Sequence, residues 1–431
     1  MASSIYVSML FLVFSFPLSL ALPAVPALIL PILKNNTAQQ YYTTIEMGLP
    51  STYVSAVIDL GAQYVWFNCD GFSSPSYRPI RCGSTKCKRA KGASCFEYCN
   101  HSTRPGCTNN TCGVGIRNPF RLLGEDGITV SSTDGKSFMS AFEAPDFLFS
   151  CSDSSFSEGV AGGTEGIAGL ARTKTALHTQ LTSAFKLPNK FALCMPSSSE
   201  SFPGVIFLGG GSYYIFDHPT ENPKDYSKSL ISTPLINNPV NTATFAKREP
   251  SDEYFIRVKS ISVNDKPVLF TSSLLSIDKK GVGGTKLSTI TPHTVLHNTI
   301  YKALVSEFVR ASALKKIKRV KPVAPFGACF SSRTIASSQT GPAVPVIDLV
   351  LQDKTSRWRI YGANSMVKVK KDVLCLGFVD GGLEPQTSIV LGGYQLENNL
   401  VEFDLTSSKL RFSNSLLLGN VTCSQNRSVG P

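Results

Sequence analysis

Apolar and polar residues follow one another along this chain in short runs, closed by glycine, proline and serine. Gln40-Tyr41-Tyr42-Thr43-Thr44-Ile45-Glu46-Met47-Gly48 reads as a strand, and Leu49-Pro50-Ser51-Thr52 follows as a turn. Val54 to Asp59 predicts the next strand, apolar towards its end and closing on a carboxylate. A second apolar strand, Tyr64-Val65-Trp66-Phe67, follows closely. Val57-Ile58-Asp59-Leu60-Gly61-Ala62 therefore has the form of a buried strand that delivers an acid to a tight loop, although an ordinary strand-turn-strand fits the same six residues. Short strands and turns dominate to about residue 215. Helical spacing is clearest at Ile300, Ala303, Leu304, Phe308 and Ala311, which predict a helix over Thr299 to Leu314. A shorter helix is expected over Ala176 to Phe185, before Pro188. The expectation is a mostly β chain with few helices.

A weak duplication runs through the pattern. Gly166-Ile167-Ala168-Gly169-Leu170 in the first half is matched by Ser388-Ile389-Val390-Leu391-Gly392-Gly393 in the second. Asp59 precedes the first and Ser288 the second at similar separations, which suggests two related lobes facing a cleft. Size agrees, because 431 residues exceed what one core organises. The expected division is a leader over 1–22, one lobe over 23–215 and another over 216–431.

The leader reads as a secretory signal peptide: Tyr6 to Leu20 is apolar, with the cut left open among Ala21, Ala24 and Ala27. The run is too short, and too interrupted by Pro17 and Pro23, to span a bilayer, and no other segment could. Export suits the twelve cysteines, Cys69, Cys82, Cys87, Cys95, Cys99, Cys107, Cys112, Cys151, Cys194, Cys329, Cys375 and Cys423, which are expected in disulfides of unassigned pairing. Zinc is the alternative at Cys95 and Cys99, but no second pair completes four ligands, so no metal and no cofactor are expected. Sequons at Asn35, Asn100, Asn109, Asn420 and Asn426 also fit export. Charged residues are only 17% of the chain and the net charge is +12. For an exported protein that excludes nucleic acid as the natural partner and points to an acidic wall polysaccharide or an acidic cleft on another protein. The densest basic run, Arg310 to Lys321, fits such a partner or a solvated helix face.

Several motifs together resemble one family. They are Val57-Ile58-Asp59-Leu60-Gly61; Tyr77-Arg78-Pro79-Ile80-Arg81-Cys82; Arg104-Pro105-Gly106-Cys107; Phe147-Leu148-Phe149-Ser150-Cys151; Gly166 to Arg172; Ala324-Pro325-Phe326-Gly327-Ala328-Cys329-Phe330; and Gly392 to Leu405. From about Tyr41 to Cys423 the chain resembles plant pepsin-fold proteins of the extracellular dermal glycoprotein, basic 7S globulin, xyloglucanase-inhibitor and xylanase-inhibitor group. The resemblance implies a bilobal pepsin-like fold with two β-barrel-like lobes, a central cleft and six disulfides. It also implies binding to glycoside hydrolases, microbial or plant, in place of proteolysis.

Proteolysis by that fold needs two carboxylates sharing a proton, one acting as base and one as acid. Around Asp59 the hydroxyl residues usual in pepsin-type proteases are replaced by Leu60 and Ala62. The second loop falls in Gly281 to Pro292, where the acid's place is taken by Ser288 or, counted back from Pro292, by a position near Gly283; neither is a carboxylate. No Tyr stands between Tyr98 and Tyr213, where the flap Tyr of such proteases belongs. The expectation is a degenerate protease homologue in which Asp59 is a structural acid. The five histidines form no Ser/His/Asp order, and Gly209-Gly210-Gly211 reads as a turn. Inhibition of cell-wall-degrading glycoside hydrolases of the xyloglucanase or xylanase type is expected to use loops Ser331 to Pro342, with Arg333 and Gln339, and Leu416 to Thr422, with Asn420. Related inhibitors, as aligned, have Arg near Thr340 and near Asn420, where this chain has Gln339-Thr340 and a sequon. The competing expectation is a basic storage or peptide-binding glycoprotein.

Overall fold

The computed structural model describes residues 26–92, 94–96, 110–115, 121–152, 161–198, 202–216, 223–241, 249–353 and 355–425. The expected leader, Cys99, Cys107, Asn100, Asn109 and Asn426 lie outside these residues.

Strand Gln40–Met47 alternates between buried and half-buried positions and pairs antiparallel with Thr52–Asp59 from Met47↔Thr52 to Tyr42↔Val57. The other edge of Thr52–Asp59 is taken by Gly166–Gly169, in parallel, with Asp59 opposite Gly169. Val54, Ala56, Val57 and Ile58 are all buried, so towards its end both faces of this strand are covered. The second half repeats the device: Thr285–Leu287 lies parallel to Ile389–Leu391, with Leu287 opposite Leu391, and Phe255–Ile256 covers its other edge.

One antiparallel run of six strands joins the halves. It passes from Ala27–Asn35 to Gly204–Leu208, Lys190–Cys194, Leu400–Asp404, Lys409–Phe412 and Ile231–Ile236. Where the halves meet, Phe191 stands opposite Phe403 with rings stacked 4.6 Å apart. Tyr254 packs edge-on against Phe403 at 4.6 Å, and its hydroxyl donates to Leu170 O at 2.6 Å.

The long helix is Asn298–Leu314, with Ile300, Leu304, Phe308 and Ala311 buried. It begins one residue earlier than expected because His297 Nδ1 accepts the Thr299 N–H at 3.1 Å and caps the first turn. Its end leads into Lys315 and Lys316, whose charges suit the negative end of a helix. The short helix is Leu177–Ala184. Gly209, Gly210 and Gly211 all have positive φ, and a side chain at Gly209 would meet Leu187, so these glycines are a turn.

Among the described residues five disulfides join Cys69 to Cys151, Cys82 to Cys95, Cys87 to Cys112, Cys194 to Cys423 and Cys329 to Cys375. The pairing of Cys95 removes the zinc alternative, because a disulfide sulfur has no thiolate to offer. Among the described residues no helix is long and apolar enough to cross a membrane.

A buried ion pair also ties the halves. Lys34 Nζ lies 2.6 Å from Glu397 Oε1, and the Tyr41 hydroxyl donates to the same oxygen at 2.6 Å. Burial pushes the Glu397 carboxyl above its ordinary range, and the Lys34 charge opposes that rise. Lys34→Met is expected to strand the carboxylate and lower unfolding stability by about 3–5 kcal/mol in denaturant titrations, whereas Lys34→Met with Glu397→Gln removes both charges and loses less.

Candidate functional site

The two strands that end at the cleft carry its central loops. Gly169, opposite Asp59, would place a Cβ 2.6 Å from Ala62 O and 2.4 Å from Tyr64 O. Gly392, which follows the Leu287↔Leu391 pair, would place one 2.8 Å from Thr291 O and 2.9 Å from His293 O. The register therefore matches Asp59-Leu60-Gly61-Ala62 to Ser288-Thr289-Ile290-Thr291. Ser288 thus stands where the duplication would place a second acid, and Gly283 does not.

Asp59 Oδ1 accepts the Gly61 N–H at 2.7 Å. Burial raises the Asp59 carboxyl above its ordinary pKa; Glu253 adds to the rise, while the Gly61 N–H and Lys286 oppose it. Ser288 Oγ donates to Thr291 Oγ1 at 3.0 Å and accepts the Thr291 N–H at 3.2 Å, so it is held by its own loop.

Thr289 crosses between the lobes. Its hydroxyl donates to Ile58 O at 2.6 Å and accepts the Leu60 N–H at 3.2 Å. Leu60, its counterpart, has no hydroxyl to return these bonds and is buried among apolar neighbours instead. The tie between the loops is one-sided.

A second carboxylate does lie near Asp59, and sequence reasoning missed it. A Cβ on Gly61 would sit 3.3 Å from Asp59 Oδ1 and 3.5 Å from Glu253 Oε1. Glu253 is not at the duplicated position: it comes from the approach to strand Phe255–Ile256 and is bound by Lys286 Nζ at 2.6 Å. A carboxylate neutralised by an ammonium is a poor partner for sharing a proton with Asp59. The available signal was Lys286, two residues before Ser288 on a strand ending at the cleft.

Strands Thr111–Val114 and Arg121–Thr133 pair antiparallel through Gly113↔Leu122 and Val114↔Arg121, a ladder that starts at Arg121. The Arg121 guanidinium lies 4.0 Å over the Trp66 ring and hydrogen-bonds Tyr64.

The two loops expected to act on a partner meet on the surface of the second half. Gln339 Nε2 donates to Asn420 Oδ1 at 2.8 Å and to Leu418 O at 3.1 Å. Arg333 is exposed, but its guanidinium makes two hydrogen bonds to Asp372 Oδ2, at 2.7 and 3.1 Å, and is not a lone cation. Of the other sequons described, Asn35 is engaged at both ends of its amide: Oδ1 accepts from the backbone of Thr37 and Ala38, and Nδ2 donates to Gly162 O.

Comparison with known proteins fits this geometry. The family model for the xylanase inhibitor N-terminal region matches residues 41–210, and that for the xylanase inhibitor C-terminal region matches residues 253–414. The chain belongs to the xylanase-inhibitor family. A relative from Nicotiana benthamiana named "Probable aspartic proteinase GIP2" is 48% identical over 404 residues, spanning 92% of this chain and 90% of the relative. Gamma conglutin 1 of Prunus dulcis is 37% identical, spanning 92% and 88% of the two chains. Among solved structures, "edgp" matches with a TM-score of 0.88 at 46% identity, covering 93% of this chain and 98% of that one. Conglutin gamma from lupine seeds matches with a TM-score of 0.78 at 33% identity, covering 94% and 100%. The fold of this xylanase-inhibitor family member is the bilobal pepsin-like one, with two barrel-like lobes and a cleft.

Thr289→Val keeps the shape of the side chain and removes the crossing hydroxyl. Leaving Ile58 O and Leu60 N–H without it is expected to lower stability by about 2–4 kcal/mol in denaturant unfolding. Asp59→Asn tests the buried acid. The folded carboxyl holds its proton more tightly than the unfolded one, so its ionisation opposes folding above the ordinary carboxylate pKa of about 3.9. Asparagine keeps the oxygen that accepts from Gly61. The variant is expected to melt at a higher temperature than the parent at neutral pH, and the difference is expected to vanish below about pH 3.9 in melts across pH.

Proposed function

We propose that this chain is an exported, proteolytically inactive pepsin-fold protein that blocks glycoside hydrolases of the xylanase or xyloglucanase type. The observation that carries the reading is Ser288 standing at the duplicated position of Asp59, in a scaffold that otherwise keeps both loops. The nearby Glu253 supports it further, because Lys286 occupies that carboxylate. A two-lobed body with lobes over 23–215 and 216–431, stiffened by disulfides, presents loops at little ordering cost. Such hydrolases flank the scissile bond with two carboxyl groups, and a basic protein is steered towards an acidic cleft. The surface built by Gln339, Leu418 and Asn420 is the candidate inserting face. Five described disulfides support an oxidising compartment outside the cell. The relatives among gamma conglutins and basic 7S globulins favour a second reading, a storage or peptide-binding glycoprotein.

Purified protein in excess is expected to lower reducing-sugar release by a xylan-cleaving or a xyloglucan-cleaving enzyme. Gln339→Ala, which unties the two loops, is expected to weaken that inhibition about tenfold. Full activity of both enzymes in the presence of the protein rejects the inhibitor reading. Casein cleavage at about pH 4 that disappears in Asp59→Ala rejects inactivity.

A further inference from the structure

A cavity of about 700 Å³ opens beside the Asp59 loop, where Gln63 and the segment 172–175 meet Asp252 of the second half. Its charges are one-sided. Lys88, Arg89 and Lys91 come from the end of helix Thr85–Arg89 and the turn after it, and Arg172 and Lys174 come from the segment 172–175. Asp252 is its one lining carboxylate, and Gln63 Nε2 already donates to it at 2.7 Å. Lys91 is paired with Glu249 at 2.5 Å. Among the described residues no carboxylate lies within ion-pair distance of Lys88, Arg89, Arg172 or Lys174. Arg89 donates to Lys174 O at 3.1 Å and Arg172 to Asn237 Oδ1 at 2.7 Å, so both guanidinium groups are positioned, and Asp252 is the carboxylate whose field Arg172 shares with Lys91. Cations gathered on a concave surface concentrate their field on whatever enters it.

The rest of the lining selects the kind of anion. Ala90 is its one apolar residue. The hydroxyls of Thr173 and Thr175 both donate to Gln63 O, at 2.6 and 3.0 Å, which leaves their lone pairs turned to other donors. An acidic protein segment normally anchors through an aromatic or aliphatic side chain in a pocket of apolar residues, and here Ala90 stands alone among lysines, arginines and threonines. A ligand with negative charges and many hydroxyls has a partner for each. The volume suits a ligand of about two or three sugar rings.

We propose that this cavity binds a short uronate oligosaccharide, its carboxylates paired with Lys88, Arg89, Arg172 and Lys174 and its hydroxyls bonded to the threonines. The site is independent of the inhibitor reading, since none of residues 331–342 or 416–422 lines it.

The test is calorimetric titration of the purified full protein with trigalacturonate, with its carboxyl-reduced neutral counterpart, with a sulfated trisaccharide and with hexaglutamate, at low and high salt. Trigalacturonate is expected to bind, more weakly as salt rises, while the neutral trimer does not. Lys88 and Lys174 are exposed. Lys88→Ala with Lys174→Ala is expected to weaken binding at least about tenfold with no change in melting temperature. Lys315→Ala with Lys316→Ala, in the basic run outside the cavity, is expected to leave binding unchanged. Equal binding of the neutral trimer, or a larger loss in the Lys315/Lys316 variant, overturns the site. Tighter binding of hexaglutamate overturns the sugar in favour of an acidic protein segment. Tighter binding of the sulfated trisaccharide overturns the uronate in favour of a sulfated sugar.

Discussion

The hydroxyl of Thr289 is the smallest part of this structure with the largest consequence. Each lobe ends a parallel strand pair in a tight loop, and the loops bring backbone N–H and C=O groups into a seam with little room for water. Those groups need partners. Thr289 supplies two at once, Ile58 O and Leu60 N–H, across more than half the chain in sequence. Reciprocity between the loops has been given up, since Leu60 answers with packing alone. That one hydroxyl ties the two loops without help from Ser288, whose own hydroxyl is spent on Thr291. The loop geometry that serves catalysis elsewhere in this fold here closes the seam between lobes.

Charge at the seam follows a related logic. A shared proton needs two acids whose repulsion separates their pKa values. Here the position that the duplication matches to Asp59 holds a serine, and the carboxylate near Asp59, Glu253, has Lys286 beside it. On the far side of the same seam, Lys34 and Glu397 neutralise each other under Tyr41. Each of these carboxylates between the lobes is thus paired or raised in pKa.

Much of this was legible in the sequence. The strand ending at Asp59, the long helix with its buried stripe at Ile300, Leu304 and Phe308, and the glycine turn at 209–211 all follow from local pattern, and local pattern is what periodicity reports. Ser288 was reachable because the duplication carries a register, and a register survives divergence when the glycines at 169 and 392 press against backbone. Contacts that depend on how one lobe meets the other were not legible. Glu253 and Asp59 converge only through that docking, and so do Thr289 and Leu60. Arg333 looked like a spare cation because Asp372, its partner, is distant in sequence. Gln339 and Asn420 were noticed separately; nothing in either loop says that they touch.

Basic charge shows the same limit from another side. Counting along the chain, Arg310 to Lys321 is the richest stretch, yet it leaves the C-terminal end of a helix, where lysines answer the helix dipole and Arg310 pairs with Glu307. The charges that converge come instead from two modest groups, 88–91 and 172–174, that no linear window joins. Potential depends on distance in space and on the shape of the dielectric boundary: a concave wall concentrates a field that an open helix end spreads into solvent. A net charge of +12 therefore states how much positive charge must be placed and leaves the fold to decide where it acts.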